Sequence, residues 1–281
     1  MLYFIIPLGL VIFAVLIWVV RNLERLIFYP DRILHDPGEI AEFSMEDVFF
    51  PGDRGMLHGW YVEPVEKTTS FVLLVCHGNR GNLSTPFRIA LIKTLPRLGA
   101  DIFVFDYSGM GKSEGRISEI QARMDAAHAW EYLTGEKGIS PGRIIIFGRS
   151  LGGPVAAWLA SRRTPVLLVL EATFPSMASE IKTLCPFLPE MLIHMVVKDS
   201  FQTACYLKDI TFPVLFVHGT RDRLVPTEEG KKVYASCGSP RKVFMEISQG
   251  GHKAFQWERD AYLDAVEEGM AALGFSLQGS R

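Results

Sequence analysis

The feature that most constrains this chain is a β-branched and aromatic run, Ile144, Ile145, Ile146 and Phe147. It ends in Gly148-Arg149-Ser150-Leu151-Gly152 and passes straight into a helix-forming stretch, Pro154 to Ala160. A strand that becomes a helix through a G-x-S-x-G turn leaves its serine at the apex, with a strained backbone and the hydroxyl raised above the sheet edge. Gly148 and Gly152 have a mechanical reason to be there, because the new helix crosses back over the strand and a side chain would collide. The pentapeptide alone says little in a chain with 25 glycines. Its strand-before, helix-after context is what makes it a nucleophile elbow centred on Ser150.

The rest of the chain repeats that rhythm. Apolar or β-branched runs at 47–50, 56–62, 71–76, 102–106, 144–147, 166–170, 214–217 and 242–247 predict eight strands. Helix-length segments at 84–98, 118–133, 151–162, 227–236 and 252–273 separate the later ones. Such alternation predicts a mostly parallel sheet with helices on both faces. The first two strands, joined by Pro51-Gly52-Asp53-Arg54-Gly55, form an antiparallel edge. The interval 173–211 breaks the pattern. It is rich in Met, Leu, Ile and Val and interrupted by Pro186 and Pro189, which fits a small helical lid whose inner face meets substrate.

A serine hydroxyl is a weak nucleophile until a base takes its proton and a third group fixes the tautomer of that base. Its partners are expected at strand ends on the same edge as Ser150. Asp222 follows the seventh strand in His218-Gly219-Thr220-Arg221-Asp222, and His252 follows the eighth in Gln249-Gly250-Gly251-His252. The order Ser, Asp, His is that of a strand–elbow–helix architecture. Glu171, directly after the sixth strand, is the alternative acid. An oxyanion needs two backbone N–H donors. Leu151 at the helix N-terminus is one. Asn79, between Gly78 and Arg80 in the loop after the third strand, is the expected second, ahead of Arg80 itself. His77 and His218, each before a glycine at a strand end, read as hydrogen-bonding structural histidines. The run from Asp106 to Gly115 lacks the G-x-x-x-x-G-K spacing of a phosphate loop and reads as a glycine-rich turn walling the site. No cofactor and no metal are implied.

Residues 2–20 are uncharged and almost wholly apolar. At ~1.5 Å per residue they reach across a hydrocarbon core of about 30 Å. The absence of a basic residue before the run and of a small-x-small site after it favours an uncleaved anchor over a signal peptide. Arg21, Arg25 and Arg32 on the C-terminal flank place the following domain on the cytoplasmic side by the positive-inside bias. The expected organisation is an anchor at 1–22, an interfacial connector at 23–39 lying at the membrane surface, and a catalytic domain at 40–281. With 29 basic and 31 acidic residues and no long run of either sign, nothing suggests a nucleic-acid surface. Cys76, Cys185, Cys205 and Cys237 lack metal-ligand spacing; a Cys185–Cys205 bridge stays open if the domain is exported.

Taken together, His77-Gly78-Asn79-Arg80-Gly81-Asn82, Asp106-Tyr107-x-Gly109-x-Gly111-x-Ser113-x-Gly115, Gly148-Arg149-Ser150-Leu151-Gly152-Gly153, His218-Gly219-Thr220-x-Asp222-x-x-Val225-Pro226 and Gly251-His252 resemble the α/β-hydrolase-fold serine hydrolases of the BEM46-like group, which includes membrane-anchored ABHD-type enzymes. The resemblance covers about residues 40–275. It implies an α/β-hydrolase fold and hydrolysis of esters, thioesters or, in related peptidase-like groups, amides, without naming a substrate. The apolar run at 2–20 beside the apolar lid is what points to lipid-like acyl chains. The other readings of the same residues are a peptidase or amidase, an acyltransferase, and a catalytically silent binding protein on this fold.

Overall fold

The structure, a computed structural model, describes residues 17–19, 21–35, 43–197 and 200–276. Each of the eight apolar runs folds as a strand: β1 (Phe43–Gly52), β2 (Gly55–Pro64), β3 (Val72–Cys76), β4 (Asp101–Phe105), β5 (Ile144–Arg149), β6 (Leu167–Glu171), β7 (Val214–Gly219) and β8 (Lys242–Ile247). They make one sheet in the order β8-β7-β6-β5-β3-β4-β2-β1. β1 and β2 pair antiparallel, as do β2 and β4, and every other pairing is parallel.

The five strands β3 to β7 are buried along their whole length, as a sheet covered on both faces requires. Side chains alternate between the faces. Ile144 and Ile146 join Leu74 and Phe103 in one core, while Ile145 and Phe147 join Leu73 and Val75 in the other. Helices α2 (Glu119–Glu131), α3 (Gly152–Ala160) and α7 (Thr227–Ser236) cover the first face through Ala126, Leu159 and Val233. Helices α1 (Pro86–Thr94), α8 (Ala254–Trp257) and α9 (Arg259–Ala272) cover the second through Ile92, Phe255 and Val266.

Two expected helices are shaped by local chemistry. The segment 84–98 tightens into a 3₁₀ turn over Leu95–Leu98, where Pro96 has no N–H to continue an α-helix. The segment 252–273 breaks at Glu258, whose backbone (φ −114, ψ 48) leaves the helical region. The break lets α8 lie along α1 while α9 runs along β7 and β8. Between β6 and β7 the chain forms α4 (Met177–Leu184), α5 (Glu190–Val197) and α6 (Thr203–Leu207).

The stretch after the expected anchor packs into the fold. Residues 21–27 are helical, and Tyr29–Pro30 pairs in parallel with Arg80–Gly81. Phe28 is 1% exposed and packs on Phe201 with ring centroids 5.9 Å apart. The Asp31 carbonyl accepts from the Gly111 amide at 2.8 Å and from Asn82 Nδ2 at 2.9 Å. This segment is therefore stitched to the loops after β3 and β4 and belongs to the folded body. Most of the expected anchor, residues 1–16 and 20, lies outside the described residues. Among the described residues no helix is long and apolar enough to cross a membrane. All four cysteines are free thiols, so Cys185 and Cys205 are not bridged.

Candidate active site

The strand order doubles back beside β3, so the loops leaving β3 and β5 emerge side by side at the carboxyl edge of the sheet, where an open α/β sheet has its crevice. Ser150 stands at the end of β5 with φ 54. A left-handed conformation costs a non-glycine residue about 1–2 kcal/mol. Three hydrogen bonds worth roughly 1 kcal/mol each hold it there. The Ser150 amide donates to the Glu171 carbonyl at 2.9 Å, and its carbonyl accepts from Thr173 Oγ1 at 3.0 Å and from the Gly153 amide at 2.9 Å. The glycines have the predicted steric cause. A Cβ on Gly148 would stand 2.4 Å from the Ala156 Cβ, and one on Gly152 would stand 2.0 Å from the Cys76 carbonyl oxygen.

The loop after β3 lies against this elbow, a Cβ built on Gly78 standing 3.7 Å from the Ser150 Cβ. His77 Nδ1 lies 2.7 Å from the Gly78 carbonyl oxygen, which only accepts, so Nδ1 carries the hydrogen. Arg88 Nη2 donates to the same carbonyl at 3.3 Å. Across a trans peptide the carbonyl and the next amide point in opposite directions. Anchoring the Gly78 oxygen therefore turns the Asn79 amide away from Arg88. The Asn79 carbonyl takes the Tyr29 amide at 3.0 Å, and its side chain donates to the Ile27 carbonyl, so both groups are tied to the N-terminal segment. Among the described residues neither the Asn79 nor the Leu151 amide donates to a protein acceptor. Both residues line one cavity with Ser150.

Asp222 is buried at the end of β7. Its Oδ1 accepts the Leu224 and Val225 amides, each at 2.9 Å, and its Oδ2 lies 2.7 Å from His252 Nδ1. Burial raises the Asp222 carboxyl, but the His252 hydrogen bond and charge, the Val225 amide and His218 together bring it below the ordinary carboxylate value. His252, half-buried, is pushed below the usual imidazole value chiefly by burial and then by the Arg149 charge, against the upward pull of Asp222. The imidazole is therefore neutral at pH 7 and able to accept a proton. Glu171 takes a different part: its Oε1 accepts from Arg149 Nε at 3.0 Å and its Oε2 from the Tyr262 hydroxyl at 3.1 Å, and it makes no bond to His252. His218 Nε2 sits 2.8 Å from the Val225 carbonyl, a structural contact that fixes the Asp222 turn.

The cavity has a volume of about 830 Å³. Ser150, Leu151, Asn79 and His252 share its wall with Phe174, Met177 and Ile181 of the insertion and with Leu23 and Ile27 of the N-terminal helix. Leu188, Ile193 and Val196 continue the apolar side.

Residues 72–184 match the family model described as alpha/beta hydrolase fold. Over 223 residues the chain is 31% identical to the alpha/beta hydrolase domain-containing protein WAV2 of Arabidopsis thaliana, covering 74% of this chain and 72% of that one. The chain belongs to the α/β-hydrolase fold family. The chain is also similar to an uncharacterized protein of Mycobacterium tuberculosis, 30% identical over 92% of this chain and 90% of its own, and to an uncharacterized membrane protein of Saccharomyces cerevisiae, 30% identical over 79% and 78%. An esterase of Pyrococcus furiosus superposes with a TM-score of 0.70 at 19% identity, covering 89% of this chain and 98% of its own, which shows the shared fold.

In this α/β-hydrolase chain three residues at the site have no role assigned from the sequence. Arg149, 4% exposed, bonds Glu171, donates to the His252 carbonyl and lies over the Phe255 ring at 4.7 Å, so the residue beside Ser150 also holds the histidine loop. Its signal is a charge at the end of an otherwise apolar strand. Arg88, 1% exposed, orients the Gly78 peptide; burial and the neighbouring Arg149 charge lower it to about 9, so it stays charged at pH 7. An arginine flanked by Phe87 and Ile89 in an apolar helix is the visible sign. Glu180 is the third, an acid on the apolar face of α4 at i+3 from Met177 and i−4 from Leu184.

Proposed function

We propose that this chain is a membrane-anchored serine hydrolase of the BEM46-like group that cleaves carboxylic ester or thioester bonds of lipid-like acyl substrates through an acyl-enzyme. His252 takes the Ser150 proton as the hydroxyl attacks the carbonyl carbon, and the Leu151 and Asn79 amides receive the oxyanion. The tetrahedral intermediate collapses as His252 returns the proton to the leaving alcohol or thiol. Water then repeats the sequence on the acyl-enzyme, releasing the acid and restoring Ser150. Asp222 keeps the hydrogen on Nδ1 and stabilises the imidazolium. The single observation that carries this reading is the 2.7 Å contact between Asp222 and His252 in the wall of a cavity that also holds the strained Ser150.

The bilayer part of the reading rests on residues 2–20 and on the apolar rim. Leu26 and Leu184 both line the cavity and are exposed, and Phe187, Met191 and Met195 stand exposed on the insertion. An apolar patch of this kind marks a lipid or ligand surface. Each methylene buried contributes about 0.8 kcal/mol, roughly a fourfold gain in binding. For p-nitrophenyl esters kcat/KM is expected to rise at least about tenfold from butyryl to decanoyl. Activity that falls steadily as the acyl chain lengthens contradicts the lipid-like substrate, and absence of turnover on every ester and matched thioester contradicts the hydrolase.

A further inference from the structure

Glu180 is 7% exposed, lines the cavity and has a fully buried Oε2 without a hydrogen-bond partner. The cations of the cavity wall face other groups: Arg88 donates to the Gly78 and Arg80 carbonyls, Arg80 lies over the Tyr29 ring and Lys253 over the Phe87 ring. Lys232 of α7 pairs with Glu229, and Lys182 of its own helix donates to the Pro186 and Leu188 carbonyls. Arg149, across the cavity, is held by Glu171. The ionised groups that act on Glu180 are carboxylates, Glu229 from α7 and Asp222 from the β7 turn. Burial above all, and then those two charges, raise its carboxyl to about 8. At pH 7 it is therefore a neutral acid, with an O–H to donate and a carbonyl to accept.

An unsatisfied polar group in an apolar wall costs about 1–3 kcal/mol, and a substrate group that satisfies it recovers that energy. A site built to bond a hydroxyl rejects the analogue that lacks one. Ser179 and Thr183, which flank Glu180 on α4, both donate to Glu229 of α7, the helix that follows the Asp222 turn, so Glu180 lies toward the side of the cavity where Asp222 and His252 stand and the leaving group takes its proton. We propose that Glu180 is a recognition subsite for a free hydroxyl on the alcohol portion of the substrate, selecting hydroxyalkyl esters over esters of plain alkanols. The inference rests on the hydrolase reading above. A hydroxyl entering beside Glu180 exchanges a hydrogen bond with the carboxyl, donating to its carbonyl oxygen or accepting its O–H.

The test is a matched pair, 3-hydroxypropyl decanoate against butyl decanoate, which differ by a hydroxyl in place of a methyl group. The full chain is expected to favour the hydroxyl ester at least about tenfold in kcat/KM. Glu180→Gln, which keeps a donor and an acceptor, should hold that ratio within about threefold. Glu180→Met, close in volume and helix-compatible, should bring it to about one or below. A wild-type chain that turns over both esters without preferring the hydroxyl overturns the subsite and leaves the hydrolase reading standing, whatever the variants do. A ratio unmoved in Glu180→Met overturns it too. A wild-type chain that cleaves neither ester and does not react with a fluorophosphonate overturns both readings.

Discussion

Replacing Ser150 with alanine is expected to lower kcat/KM about a millionfold while the protein stays folded. The strained backbone and its three hydrogen bonds involve main-chain atoms of residue 150, and alanine keeps all of them. The loss is confined to the hydroxyl. Without it no acyl-enzyme forms, and what remains is slow attack by water in a cavity that still offers the Leu151 and Asn79 amides. Steady-state hydrolysis of a decanoyl ester, with circular dichroism as the check on folding, measures this. Residual activity within tenfold of wild type would place the nucleophile elsewhere.

The second large effect is expected from Asp222→Asn, about 10⁴-fold in kcat. The geometry gives the direction. The Leu224 and Val225 amides both donate to one carboxyl oxygen, so the carbonyl oxygen of the asparagine must take that place. Its NH₂ then faces His252 Nδ1, which has to accept, and the ring hydrogen moves to Nε2, where the base is needed. The fold keeps its shape and loses its proton acceptor. In the wild-type protein, burial and the Arg149 charge set His252 below the usual imidazole range. The profile of kcat/KM should therefore be level from neutral pH upward through pH 8, then fall tenfold per unit on the acid side, with a midpoint below about 6.5. A midpoint above 7 contradicts a neutral, desolvated base.

Much of this was legible in the sequence, for identifiable reasons. A buried parallel strand has to be a short β-branched run, so Ile144 to Phe147 and its counterparts announce the sheet. Ser150, Asp222 and His252 stand out because each follows such a run in a turn opened by glycine. Gly148 and Gly152 are required sterically, and the distances to Ala156 and Cys76 bear that out. Other parts carry no local signal. An apolar stretch after an anchor reads the same whether it meets lipid or a core, and only the fold shows Phe28 packed on Phe201. The break at Glu258 is set by two neighbours pulling the helix along different lines, with no proline or glycine to mark it. Arg149, Arg88 and Glu180 are ionisable residues in apolar surroundings, and nothing local in the chain shows what each one faces in the fold. Glu171 shows the limit of position alone: it stands at the right strand end, but Arg149 and Tyr262 occupy both of its oxygens.

The most direct test of the central claim is to label the full-length protein with a fluorophosphonate, digest it and locate the adduct by tandem mass spectrometry, alongside His252→Ala. The account predicts the phosphonate on Ser150 in the wild-type chain and labelling slowed at least a hundredfold in the variant, because the serine then has no base. An adduct on a different side chain, or labelling of Ser150 at the same rate without the imidazole, would contradict it.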